Sequence, residues 1–420
     1  MTLLHPCRGS VGRSLRGLRA ARVLIRLVPP TAVQVGMPRL SPCCAHSTRV
    51  TPAAVSHCLV AALTHSELGV SYDEACDLLE DVPVTTLRDF EQRLREELGQ
   101  EVVGSSREVT VFDTRDASLT DNEWLRSIHF NDRLDLVQSC IRVHVSPSTG
   151  ERVPDHSRPP PSAGRTATHL FALAAAPALH HLLTSSGGVG QVPPRASPTR
   201  PLAIVVLGAG GCSVPAFLAT ALRLPGGRAF EVSAVELSSA VVAAARAHFG
   251  IAQLEANGAL QLYRACASEH LAQIAATRPG SVDVLLIDLE SGLAMEHGLR
   301  APPSFVLDAA FLASISSSLS TDGVVALNCI APAEGLLHVE AIVTAALGGS
   351  ARGWWLDTGI KASADQAVLM HRVLLIHRAG VEQGVRKQIG ISSRTLARTM
   401  AKLGLGADGS LTPSFSLRQL

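Results

Sequence analysis

Val205-Val206-Leu207-Gly208-Ala209-Gly210-Gly211 decides the fold. Three strand-forming apolar residues run into four small ones, and an apolar segment resumes at Val214. This is the pattern of a buried strand that breaks into a glycine turn and enters a helix. A second short apolar run, Glu231-Val232-Ser233-Ala234-Val235, ends on Glu236, 28 residues after Gly208. In a doubly wound α/β sheet these two strand ends lie at the same edge. Glycine lets backbone approach a ligand without a Cβ in the way, and Glu236 offers two acceptor oxygens suited to the paired hydroxyls of a ribose.

Working outward, the alternation continues. Strands are expected at 202–207, 230–235, 259–264, 282–287 and 323–328, with helices at about 213–223, 238–248, 268–276, 304–319 and 334–347. Two final apolar runs, 353–357 and 367–377, have no helix between them and read as an antiparallel pair. Five βα units closed by a hairpin give a doubly wound α/β sheet of seven strands. Before the sheet, Leu134, Leu136, Ile141, Val143 and Val145 predict a β-hairpin, and His169 to Leu183 an apolar helix. Residues 52–129 are expected to be a short, mainly helical region, with a weak strand signal at 107–118; Leu87, Phe90, Leu94 and Leu98 stand at helical spacing before Gly99. The expected organisation is therefore 1–51 as a targeting or disordered segment and 52–129 as the helical region. A hairpin and linker region at 130–200, a cofactor-binding domain at 201–380 and a polar tail at 381–420 follow, with one helix in the tail at 392–403.

Composition narrows the function. A chain of 420 residues that is 46% hydrophobic and carries a net charge of +1 has no electrostatic argument for nucleic-acid binding. No apolar run approaches the roughly 20 residues of a membrane span. The nine cysteines contain no CxxC pair and the histidines no metal-ligand spacing, so no metal is expected. Residues 1–66 hold eight arginines, no lysine and no acid. Leu15, Leu18 and Ile25 would share one helical face, with arginines around the other side. This is the composition of a transit peptide, mitochondrial before plastid; without such targeting, the expected location is the cytoplasm.

Several short motifs, in order, carry a resemblance. They are Val137-Gln138-Ser139, Asp155-His156-Ser157, Gly208 to Gly211, Val235-Glu236, His248-Phe249-Gly250, Asp283-Val284 with Ile287-Asp288, Pro302-Pro303 with Phe305-Val306, and Gly323-Val324. Over about 130–378 the chain resembles the spermidine-synthase-like class I methyltransferases, and among them the C-terminal domain of the elongation factor 1-alpha lysine and N-terminal methyltransferases. The resemblance implies a Rossmann-like sheet that binds S-adenosylmethionine, and a lid-like substrate region before it. It implies Gly208, Ala209, Gly210, Gly211, Glu236, Leu237, Asp288 and Gln138 as cofactor contacts. It also implies Asp288 as the catalytic acid at the donor–acceptor boundary, able to orient an amine or take its proton. Where the family has an adenine-contacting Asp after the third strand, this chain has Cys266, with Ser268 and Glu269 close by. The glycine run agrees with this cofactor. A dinucleotide fingerprint, GxGxxG, places a pyrophosphate on the helix N-terminus and has a third glycine where this chain has Ser213.

The expected function is S-adenosylmethionine-dependent methyl transfer, by resemblance to a protein amine, lysine or N-terminus, of a translation factor. Two alternatives stand beside it. An aminopropyltransferase of polyamine synthesis would carry an Asp-Pro soon after the catalytic Asp, where this chain has Leu289-Glu290-Ser291-Gly292. A non-catalytic protein that kept the fold would explain Cys266. Relatives of the polyamine type imply a homodimer. His156 is a weaker candidate in the Pro-rich loop, and His180, His181, His371 and His377 read as structural.

Overall fold

The computed structural model describes residues 100–115, 119–131, 133–158, 165–185, 200–291, 298–347, 351–364, 367–378, 391–405 and 416–419. The expected targeting segment, and the helices expected between 52 and 99, lie outside them. The chain divides into two compact units.

The described part of the first unit is β structure. Strands β1 (Gln100–Ser105), β2 (Val109–Thr114) and β3 (Glu123–Phe130) pair antiparallel in sequence order. β2 falls within the strand signal at 107–118, but the mainly helical region expected to residue 129 is β structure from residue 100 onward among the described residues. Val109, Val111, Phe112, Trp124 and Ile128 are β-branched or aromatic and are buried, and such side chains fit a pleated surface better than a helix. Directly across the β2–β3 ladder, Asp113 faces Arg126. The guanidinium donates two bonds to the carboxylate, Nε to Oδ1 at 2.7 Å and Nη2 to Oδ2 at 2.8 Å. β4 (Arg133–Val145) is one strand of 13 residues, not the expected hairpin. Its end, 142–145 in the second unit, forms a hairpin with β5 (Arg152–Asp155), which lies in what reads from sequence as a loop.

The second unit holds an eight-stranded sheet. Its strands are β6 (Leu202–Leu207), β7 (Phe230–Glu236), β8 (Gln261–Arg264), β9 (Val282–Ile287), β10 (Leu319–Ala331), β11 (Arg352–Ala364), β12 (Ala367–His377) and β13 (Ser416–Gln419). Spatially they run β13-β11-β12-β10-β9-β6-β7-β8. β6 to β10 are mutually parallel, and β12, β11 and β13 are antiparallel additions. Seven strands were expected. The eighth, β13, comes from the segment expected to be a polar tail, where three polar or charged residues in four leave little strand signal.

Two helical layers cover the sheet. On one side lie α1 (Arg165–Ser185), α2 (Ser213–Ala221), α3 (Ser239–His248), α4 (Ile251–Ala256) and α8 (Ser393–Lys402). On the other lie α5 (Ala267–Thr277), α6 (Ala309–Ser318) and α7 (Ala333–Leu347), which close a core with Val205, Leu207, Leu285, Ile287, Val325 and Leu327. α1, expected within a lid-like region, is part of the sheet domain. Ala172, Ala174, Ala175, Ala176 and Ala178 are fully buried, and the helix packs on β9 to β12. Small side chains allow close helix–sheet approach, and close packing maximises dispersion contact. α8 is also anchored: Leu396 and Met400 are buried, and the Arg223 N–H donates to the Leu403 carbonyl at 2.7 Å.

Candidate functional site

The sheet register assembles the site. Leu207 is paired with Val235 on one side and Ile287 on the other. The next residues, Gly208, Asp288 and Glu236, the last residue of β7, therefore lie together at one edge of the sheet. Leu327 is paired with Ile287, which brings Asn328 beside Asp288. The chain order reverses between β6 and β9, and a doubly wound sheet opens its ligand crevice at such a switch point.

The glycine turn is held from several directions. The amides of Gly208 and Ala209 both donate to the Val235 carbonyl, at 3.0 and 2.9 Å, and the Asp288 amide donates to the Leu207 carbonyl at 2.8 Å. Gly208 has φ +84°, and a Cβ there would lie 2.1 Å from the Asp288 carbonyl oxygen. The protein itself requires this glycine, because β9 leaves the sheet against it. Gly210 donates its N–H to Glu236 Oε2 at 2.9 Å, and Ser238 donates its N–H to Oε1 at 2.9 Å. The Gly211 N–H goes to Ser139 Oγ at 2.8 Å, and the Ser213 hydroxyl donates to the Cys140 carbonyl at 2.9 Å. Cys212 is fully buried, and burial followed by the nearby Glu236 pushes its thiol well up, so it is an inert thiol.

The predicted residues fall as follows. Gly208, Ala209, Gly210, Gly211, Glu236 and Asp288 converge at one edge. Leu237 follows Glu236 and is 69% exposed, an apolar side chain open at the crevice edge. Gln138 belongs to the first unit; the residue on the glycine turn is its neighbour Ser139. Cys266 caps α5, half-buried, with its sulfur 3.1 Å from Ser268 Oγ. The Ser268 hydroxyl and the Glu269 amide lower its thiol pKa below the usual value. His156 is buried, its Nε2 2.7 Å from the Phe249 carbonyl, and burial lowers its pKa. It fastens the end of β5 to the turn after α3, a structural task.

Sequence reasoning missed the surroundings of Asp288. His169 Nε2 lies 2.9 Å from Asp288 Oδ2, and Asn328 Nδ2 donates to Oδ1 at 2.9 Å. His371 Nε2 lies 2.8 Å from Asn328 Oδ1. Burial by itself would raise the Asp288 carboxyl. The His169 ring, the His371 ring and the Asn328 amide outweigh it and hold the carboxyl below the usual range. His371 reads from sequence as structural and His169 as the start of an apolar helix, because their partners are 43 and 119 residues away. Among the described residues no cluster of three or more His, Cys, Asp or Glu is arranged to hold a metal ion, and no helix is long and apolar enough to cross a membrane.

No family model matches the chain. A curated protein, the mouse (Mus musculus) eEF1A lysine and N-terminal methyltransferase, is 29% identical over 130 residues, which cover 31% of this chain. The match spans 17% of that relative's own length. Among solved structures, human methyltransferase-like protein 13 in complex with SAH is similar at a TM-score of 0.38 and 22% identity, covering 59% of this chain and 98% of that one. A probable spermidine synthase from Corynebacterium glutamicum is similar at a TM-score of 0.47 and 14% identity, covering 76% and 90%. The chain resembles the spermidine-synthase-like methyltransferases. Numbered from β6, its sheet order is 3-2-1-4-5-7-6 with an added edge strand, the doubly wound class I methyltransferase arrangement that the sequence predicts.

Proposed function

We propose that this protein is an S-adenosylmethionine-dependent methyltransferase that acts on a protein amine. One observation carries the reading: the glycine turn, Glu236 and Asp288 stand together at the ends of adjacent strands, at the switch point of the sheet. The residues fit the cofactor. Each carboxylate oxygen of Glu236 accepts one backbone N–H, which fixes the group in place. A carboxylate oxygen has two acceptor positions, so one remains on each for the two ribose hydroxyls. Leu237 offers apolar contact and Cys266 a sulfur acceptor at the position where relatives have an acid. S-adenosylmethionine, when bound, supplies an electrophilic methyl group. The work left to the chain is to hold an acceptor in line and keep the site dry, and Asp288 presents an ionised carboxylate for a cationic amine.

The match to the curated relative supports a lysine or N-terminal amine of a translation factor as acceptor. The direct test is incubation with S-adenosylmethionine and elongation factor 1-alpha, followed by mass spectrometry. Addition of 14 Da per methyl group to a lysine or the N-terminus, absent with Glu236→Ala, is the expected result. Methyl incorporation that survives Glu236→Ala would rule this site out. We also propose mitochondrial import directed by residues 1–51; a reporter fused to them should enter mitochondria, and a cytosolic reporter would refute it.

A further inference from the structure

Asp288 does not stand alone at the crevice. Both of its oxygens are engaged from within the protein, Oδ1 by Asn328 and Oδ2 by His169. An ionised carboxylate only accepts, so the shared hydrogen sits on His169 Nε2. Asn328 turns its Nδ2 to Asp288 and so its Oδ1 to His371, and the hydrogen of that bond sits on His371 Nε2. The rings of His169 and His371 lie 4.8 Å apart. Every bond in the chain is thereby directed toward one carboxylate. With Nε2 protonated, neutral His169 carries its lone pair on Nδ1, which is buried and has no hydrogen-bond partner among the described residues. A second proton can add only there. No bond would stabilise it, and its support is the charge of Asp288.

Two states follow. With His169 neutral, the pair carries a net charge of minus one. With His169 protonated, it is a closed ion pair with no net charge. The side chains of His169 and Asp288 remain 16% and 22% exposed beside the glycine turn, so this charge faces the crevice.

We propose that His169 gates the acceptor site: the neutral ring leaves Asp288 free to bind a cationic amine, and the protonated ring cancels that charge and excludes the amine. The proposal rests on the methyltransferase reading and makes His169 a positioning residue acting through Asp288. The titratable groups that face it are Asp288 and Glu290, just beyond β9, and His371 from β12. Burial would lower the His169 pKa, but Asp288 and then Glu290 outweigh it and raise it above the ordinary value of 6.5. The gate therefore closes as pH falls through a midpoint above 6.5. Below it the apparent acceptor KM rises by about tenfold per pH unit, as for any single proton competing with binding.

The test has two arms on the full chain. First, NMR of the protein with labelled histidine follows the His169 ring between pH 5 and 9, assigned by the signals lost in His169→Gln. The expected ring is protonated at Nε2, titrates above 6.5, and titrates lower in Asp288→Asn. A ring that carries its neutral-state hydrogen on Nδ1, or titrates alike in both proteins, overturns the proposal whatever the acceptor. Second, methyl transfer to elongation factor 1-alpha is measured over the same pH range. In the wild type the acid limb should appear in acceptor KM, not in kcat. His169→Gln keeps an N–H for Asp288 and cannot titrate; it should lose the limb, whereas His169→Ala should raise KM at every pH. An unchanged limb in His169→Gln overturns the gate. Binding of S-adenosylhomocysteine, measured alongside, separates the readings. If none of these proteins binds it, the methyltransferase reading fails, and the NMR arm still judges the His169–Asp288 pair.

Discussion

Gly208 shows how tightly single residues define this site. Its φ of +84° is costly for any side chain, and a Cβ would collide with the Asp288 backbone. Strain of this kind costs about 1–3 kcal/mol before the collision is counted. Gly208→Ala should therefore destabilise the second unit by about 3 kcal/mol and displace Asp288. A lowered urea midpoint with an unchanged slope is the expected signature, and a midpoint equal to wild type would show that the turn is not constrained as described. Cys266 makes the opposite case. Its environment lowers the thiol pKa, yet a neutral thiol is a weak acceptor. A charge-assisted hydrogen bond contributes about 1.5–3 kcal/mol. Cys266→Asp should thus tighten S-adenosylmethionine about ten- to a hundredfold by calorimetry. Unchanged affinity would mean that position 266 does not touch the cofactor. The glycine turn and both acids were legible because each ends an apolar run. His169 and Asn328 were not, because hydrogen-bond partners far apart in sequence leave no local pattern.

At the level of elements, α1 and β9 space their ionisable residues alike. From His169 to His180 is 11 residues, about 16 Å of helix at 1.5 Å per residue. From Asp283 to Asp288 is five residues, about 16 Å of strand. The helix runs antiparallel to the strand, so His169 meets Asp288 at one edge of the sheet and His180 lies near Asp283 at the other. Apolar composition announced α1, but it hid the two ionisable ends that the packing puts to use. The first unit gives another element-level prediction. Arg126→Ala would leave the fully buried Asp113 carboxylate without its two guanidinium bonds. Breaking such a pair costs about 3–5 kcal/mol. Thermal unfolding should show the loss in the transition of the first unit, and an unaltered transition would show that the pair contributes nothing. β2 lies within the strand signal at 107–118, whereas β1 and β3 fall in residues assigned to the helical region, whose β-branched and aromatic character favours strands.

For the whole molecule, the doubly wound sheet was the most legible feature, since each βα unit repeats the same switch between period 2 and period 3.6. β13 and the packing of α8 were not, because edge elements with few apolar residues take their place from tertiary contacts. The buried His180 shapes stability of the sheet domain. Burial, with Arg228 and His377 adding to it against Asp283, lowers its pKa to about 4, from 6.5 in the open chain. Because the folded-state value is depressed, its contribution is intact above pH 6.5 and is lost as pH falls toward 4, by up to about 3 kcal/mol. His180→Leu should flatten stability across that window, and an unchanged acid profile would contradict the assignment.

The central claim is that the Gly208–Gly211 turn with Glu236 forms the cofactor site. Calorimetric titration of the full chain with S-adenosylmethionine, beside Glu236→Ala and with decarboxylated S-adenosylmethionine for comparison, tests it most directly. The account predicts saturable binding of the methyl donor that is lost in Glu236→Ala. Preference for the decarboxylated compound would move the chemistry to aminopropyl transfer, and no binding to the folded protein would contradict the account.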